Sequence, residues 1–132
     1  MTAVVWIEEP ETLLFHERLL LLHGGAPGLR DAGLLKSALA RPKQHAAYGD
    51  APDLTALAAI YTAGIVRSHP FVDGNKRTGF LVGVIFLELN GRQFTAGQEA
   101  AAAAVILLAS GQLDEAGYAA FLAENSVAVP PP

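Results

Sequence analysis

The chain has 132 residues, 52% hydrophobic and 17% charged, with a formal net charge of -4; that suits one domain with a real core and excludes a disordered tail. Net acidity argues against a nucleic-acid sleeve, whose binding face is basic, so no direct nucleic-acid contact is expected. Cysteine is absent, which rules out disulfides and thiolate metal centres.

Location follows from what the apolar runs lack. The longest, Gly79 to Leu87 and Ala100 to Ala109, fall short of the roughly 18 to 20 residues that span a bilayer, and the first residues carry no signal-peptide pattern. A cytoplasmic protein with no membrane partner is expected.

Ala3 to Ile7 is β-prone and predicts a short strand or an extended lead-in. A helix follows, with Pro10 in its first turn, Leu13, Leu14, Leu20 and Leu21 on its apolar face, and Gly24 as its stop. His16 and His23 lie on it and read as structural. Gly24 to Arg30 is a glycine-rich turn without the Gly-Lys-Ser/Thr ending of a P-loop. Arg30 reads as a solvated loop arginine, the alternative being that it faces the site. Asp31 caps a second helix expected to end at Pro42, and Lys43 to Pro52 predicts an irregular segment. Asp53 caps a third helix, whose Leu54, Leu57, Ala58, Tyr61 and Ile65 recur at helical spacing. Arg67 in its last turn is either a cap or a second phosphate clamp.

The chemically capable groups crowd into Ser68-His69-Pro70-Phe71-Val72-Asp73-Gly74-Asn75-Lys76-Arg77-Thr78. Pro70 biases His69 away from the α region, so the third helix should stop at about Ser68. Asp73-Gly74-Asn75 is a turn, and a fourth helix runs from there to Leu89, closed by Asn90-Gly91. A glycine turn opening a helix presents unpaired N–H groups and the positive end of the dipole, an anion site built here from Gly74, Asn75, Lys76 and Arg77. Lys76 and Arg77 oppose that dipole by roughly 0.3 to 1 kcal/mol each, a placement that makes sense if a polyanion fills the site. Asp73 offers a hard oxygen ligand for Mg²⁺ beside a phosphate. His69 is the candidate base, since imidazole titrates near neutrality. Together these describe phosphoryl or nucleotidyl transfer.

The fourth helix is apolar nearly all round, so it predicts a rod at the centre of the fold, with Gly79 and Gly83 admitting a close neighbour. Thr95 is expected to cap a fifth helix that Gly111 ends, and Asp114 opens a sixth that fades at Asn125. The division expected is one domain over 1–125 and a flexible Pro-rich tail over 126–132.

The His69 to Arg77 run resembles the signature of the Fic/Doc superfamily, and Lys76 makes it similar to the Doc (death-on-curing) branch. The adenylylating Fic branch carries Gly there and a second Arg at the position of Phe80. Gly24 to Pro42 and Phe86 to Gly91 resemble further segments of the superfamily. The resemblance implies an all-α Fic/Doc-like bundle around a central apolar helix at about residues 75–89, with room for one minor β element. It also implies a Doc-type toxin of a toxin-antitoxin system: a kinase using ATP and Mg²⁺ to phosphorylate a Ser/Thr hydroxyl of a translation factor, elongation factor Tu. In that reading His69 and Arg77 are catalytic, Gly74, Asn75, Lys76, Arg77 and Arg67 bind phosphate, and Asp73 holds the metal. A cognate antitoxin is the implied partner. AMP transfer by the same residues and a non-catalytic binding module are the alternatives. The superfamily's inhibitory helix motif has its nearest match at Thr95 to Glu99, but Ala100 follows where Gly or Asn belongs.

Overall fold

The computed structural model describes residues 3–49 and 53–130. Within them the chain forms α1 (Glu9–His23), α2 (Ala32–Ala47), α3 (Leu54–Ser68), α4 (Asn75–Leu89), β1 (Arg92–Phe94), α5 (Gln98–Ser110), α6 (Glu115–Glu124) and β2 (Ser126–Ala128). The fold is all-α, as expected, with a two-stranded antiparallel ribbon as its minor β element.

The helix starts follow the capping chemistry. Asp31 accepts from the Leu34 N–H, Asp53 from Thr55 and Ala56, and Asp114 from Gly117. At the other ends Gly24, Asn90 and Gly111 sit at the C-caps.

α3 is the enclosed element: every residue from Leu57 to Val66 is buried, with α2, α4, α5 and α6 packed around it. α4 also runs through the core, yet Phe80, Leu81, Val84 and Ile85 are only half-buried. Its apolar circumference therefore has two uses, since one side packs on α3 and Phe80 and Val84 line a cleft. The α3–α4 crossing is close because both helices meet at small residues. A Cβ on Gly79 would stand 2.8 Å from Val66 Cγ2 and 3.1 Å from the Thr62 carbonyl, and one on Gly83 would collide with Thr62 Oγ1.

Three expectations need correction. α2 runs through Pro42 to Ala47, because Leu35, Ala38, Leu39 and Pro42 are buried together and packing outweighs the lost backbone hydrogen bond. Residues 43–47 of the supposed irregular segment are thus helical, and 50–52 lie outside the described residues. Ala3 to Ile7, by contrast, is the extended lead-in, the second of the two forms expected for it. Its backbone partners are side chains: Asn90 bonds Val5 at both N–H (2.8 Å) and C=O (2.9 Å), and the Tyr61 hydroxyl bridges the Ile7 N–H and C=O at 3.0 Å each. Gly97, not Thr95, caps α5, while the Thr95 N–H donates to the Asn125 carbonyl at 2.7 Å. Ser126–Ala128, expected within the tail, pairs with β1 in the register Arg92↔Ala128, Gln93↔Val127 and Phe94↔Ser126. Arg92 fastens that ribbon, with Nε on Ser126 Oγ and a terminal nitrogen on the Ser126 carbonyl. Residues 131–132 lie outside the described residues.

Among the described residues no helix is long and apolar enough to cross a membrane.

Candidate active site

α3 ends at Ser68, and His69 then turns left-handed, with φ 58° and ψ 53°. It is the one non-glycine at positive φ among the described residues. Such a conformation costs on the order of 1–3 kcal/mol and persists only where neighbours over-determine it. The neighbours here come from the loop between α1 and α2. Arg30 Nε donates to the His69 carbonyl at 2.7 Å and its terminal nitrogen to the Ser68 carbonyl at 2.9 Å. The Arg30 and Asp31 N–H groups both donate to the Pro70 carbonyl, and the Val72 N–H to the Gly28 carbonyl. Leu29 and Phe71 form a one-residue bridge. The two loops are sewn together along their length.

Asn75 closes the turn from inside. Its Oδ1 accepts from the Phe71 N–H at 2.9 Å and its Nδ2 donates to the Phe71 carbonyl at 2.9 Å, which fixes the amide orientation. The second Nδ2 hydrogen is then available to His69 Nδ1, 3.0 Å away. A neutral imidazole accepting there carries its own proton on Nε2.

His16 supports the loop from below, buried, stacked on Phe71 with ring centroids 3.8 Å apart. Its Nε2 donates to the Asp73 carbonyl at 2.8 Å. Gly74 follows at φ 79°, and a Cβ there would lie 3.6 Å from the His16 ring. The structural role expected of His16 is the one it has.

The Asp73 carboxylate accepts from the Ala26 N–H at 3.2 Å and the Gly74 N–H at 2.9 Å. These bonds, Ala26 first, hold its pKa below the usual carboxylate range, with smaller help from Arg77 and His16. Gly25 makes the approach possible, since a Cβ there would stand 3.0 Å from Asp73 Oδ2. The exposed carboxylate keeps free lone pairs. Among the described residues no cluster of three or more His, Asp or Glu could hold a metal by itself. One carboxylate beside a phosphate site still fits Mg²⁺, which takes one or two carboxylates and completes its shell with substrate oxygens and water.

Lys76 and Arg77 are exposed in the first turn of α4, and neither forms an ion pair among the described residues. His69, Asp73, Gly74, Asn75, Lys76 and Arg77 together form one end of a cleft of about 630 Å³. Its other end is apolar, built by Phe80 and Val84 of α4, Phe94 of β1, and Ala101, Ala102, Val105 and Ile106 of α5. Six of the seven sequence candidates therefore meet at one place.

Arg67 does not join them. Its guanidinium donates to the Leu113 carbonyl at 3.3 Å, and it lines a separate cleft with Leu34, Ser37 and Arg41. The phosphate-clamp assignment of Arg67 is corrected on that ground. Arg30, read from sequence as a solvated arginine, is instead bound to the backbone of the candidate base. The apolar half of the cleft also escaped sequence reading, because α5 offers only an alanine-rich stripe.

His69 on a left-handed backbone, an exposed carboxylate and two unpaired cations thus gather at a glycine-opened helix start within a helical bundle, an arrangement whose charge suits an anion. The chain belongs to the Fic/DOC family, which it matches over residues 6–87. It is 33% identical over 87 residues to the "Protein kinase doc" of Escherichia phage P1, covering 66% of this chain and 69% of that protein. It is 47% identical over 75 residues to the "Toxin Doc" of Mycolicibacterium smegmatis, covering 55% of this chain and 57% of that protein.

Proposed function

We propose that this chain is a Doc-type toxin that transfers the γ-phosphoryl group of ATP to a Ser/Thr hydroxyl of a translation factor. The observation that carries the proposal is the pair of unpaired cations, Lys76 and Arg77, on the α4 start beside His69 and Asp73. Phosphoryl transfer asks a protein mainly for positioning and charge stabilisation, and this cleft supplies both. Lys76 and Arg77 receive the phosphates, while the Gly74 N–H, assigned to phosphate from sequence, is taken up by the Asp73 carboxylate. Mg²⁺ held by Asp73 and the phosphate oxygens would neutralise charge across them. His69 takes the hydroxyl proton. The names of the two relatives, a protein kinase and a toxin, support this reading, and so does the resemblance that points to elongation factor Tu and to a cognate antitoxin.

Asn75 gives the base a defined resting state. With Nδ1 occupied, the ring presents Nε2–H to the cleft, a donor for a phosphate oxygen. Accepting a proton at Nε2 requires the other tautomer, with the ring proton on Nδ1, in which the Asn75 Nδ2–H no longer has an acceptor there.

The alternative is AMP transfer, which the family's other branch performs. Phe80 weighs against it, because it places an apolar ring in the cleft where that branch has a second arginine. Incubating the protein with ATP, Mg²⁺ and candidate acceptors, then weighing the acceptor, separates the two: about +80 Da marks phosphate and about +329 Da marks AMP. His69→Ala and Arg77→Ala are each expected to lower transfer by about 10²-fold or more while remaining folded. Full activity in either variant removes that residue from the mechanism. Absence of any transfer alongside tight antitoxin binding would favour a non-catalytic module.

A further inference from the structure

We infer that Arg30 is a positioning residue that holds the His69 imidazole in its working orientation, an inference that rests on the group-transfer reading above. The C-terminal carbonyls of a helix lack intrahelical donors, and His69 combines that condition with a left-handed backbone before a proline. Arg30 answers both at once. Its fork spans two consecutive carbonyls, Ser68 and His69, with two different nitrogens. A single point charge cannot bridge them in that way. The positive guanidinium also faces the negative end of the α3 dipole. The ring itself is touched by Asn75 alone among these contacts, so Arg30 acts through the backbone that carries the imidazole and not on substrate.

The anion cradle hangs on other bonds. Gly74 and Asp73 are fixed by Ala26 and His16, and none of those contacts passes through the Arg30 side chain. Loss of the fork should therefore separate catalysis from nucleotide binding. A misplacement of about 1 Å at a reacting group can cost 10²-fold in rate.

The test compares Arg30→Met and Arg30→Lys with the parent protein and with His69→Ala, under saturating ATP and Mg²⁺. Arg30→Met is expected to lose about 10- to 100-fold in kcat while ATP affinity stays within about twofold, with Arg30→Lys recovering part of the loss. The ring resonances of His69, followed by NMR in both variants, are expected to shift from their parent positions. Unchanged kcat together with unmoved His69 resonances would overturn the inference. So would an equal loss of ATP affinity and melting temperature in both variants, which marks a purely structural cap. If the parent protein transfers nothing to any acceptor, the group-transfer reading fails separately, and the His69 resonances alone decide whether Arg30 orients the ring.

Discussion

Asn75 commits its whole amide to the turn that carries it, and two of its three bonds go to the backbone of one residue, Phe71. Asn75 and Phe71 are both buried, so an alanine at 75 would strand a buried N–H and a buried carbonyl. Each unsatisfied group costs about 1–3 kcal/mol, and denaturant unfolding of Asn75→Ala should show a loss of that order or more. A loss below a few tenths would mean that the turn re-pairs those groups elsewhere. The residue types at this site were legible from sequence because they fall within one short run. Their partners were not. Arg30 reaches Ser68 and His69 across 38 and 39 positions, and His16 reaches Asp73 across 57. Spacing along a chain encodes helix faces and turns, but it cannot say which loop folds onto which.

At the scale of the element, α3 delivers His69, and its start is set by Asp53. That carboxylate accepts from the Thr55 hydroxyl at 2.7 Å, the Thr55 N–H at 3.0 Å and the Ala56 N–H at 3.3 Å. The Thr55 hydroxyl is the largest cause of a pKa below the ordinary 3.8, against a smaller opposing effect of burial. A depressed folded value means that the unfolded chain binds the proton more readily. The cap's contribution is therefore present above about pH 3.8 and is lost as pH falls through the lower, folded value. Asp53→Ala should cost about 1 kcal/mol near neutral pH, and the gap from the parent protein should narrow below the ordinary value. Thermal melts across that range check it, and a gap that stays constant would exclude the carboxylate as its source. Caps of this kind made the starts of α2, α3 and α6 readable. Pro42 and the ribbon were misread for the opposite reason: a buried proline and a three-residue strand are held by packing and pairing that local propensity does not register.

The whole molecule is acidic, at a formal net charge of -4, yet the mouth of its large cleft is cationic and its far end is greasy. That polarity follows from how the bundle is assembled. α3 fills the centre, which leaves one side of α4 free to face α5 across a gap instead of a packed interface. Sequence reading placed α4 at the centre because its residues are apolar all round, and a residue lining a cleft is as apolar as one in a core. On the proposed function, the phosphates would sit at Lys76 and Arg77 and the flat base between the helices beside Phe80 and Val105. Ala102 tests that placement, since it is exposed on α5 and lines the apolar end without belonging to the core. Ala102→Trp should fill the gap and weaken ATP binding by about tenfold or more, a loss of about 1.4 kcal/mol, with the melting temperature little changed. Calorimetric titration measures it directly. Unaltered affinity in a folded Ala102→Trp protein would place the base outside the α4–α5 gap, leaving the cationic end as the anchor for the phosphates alone.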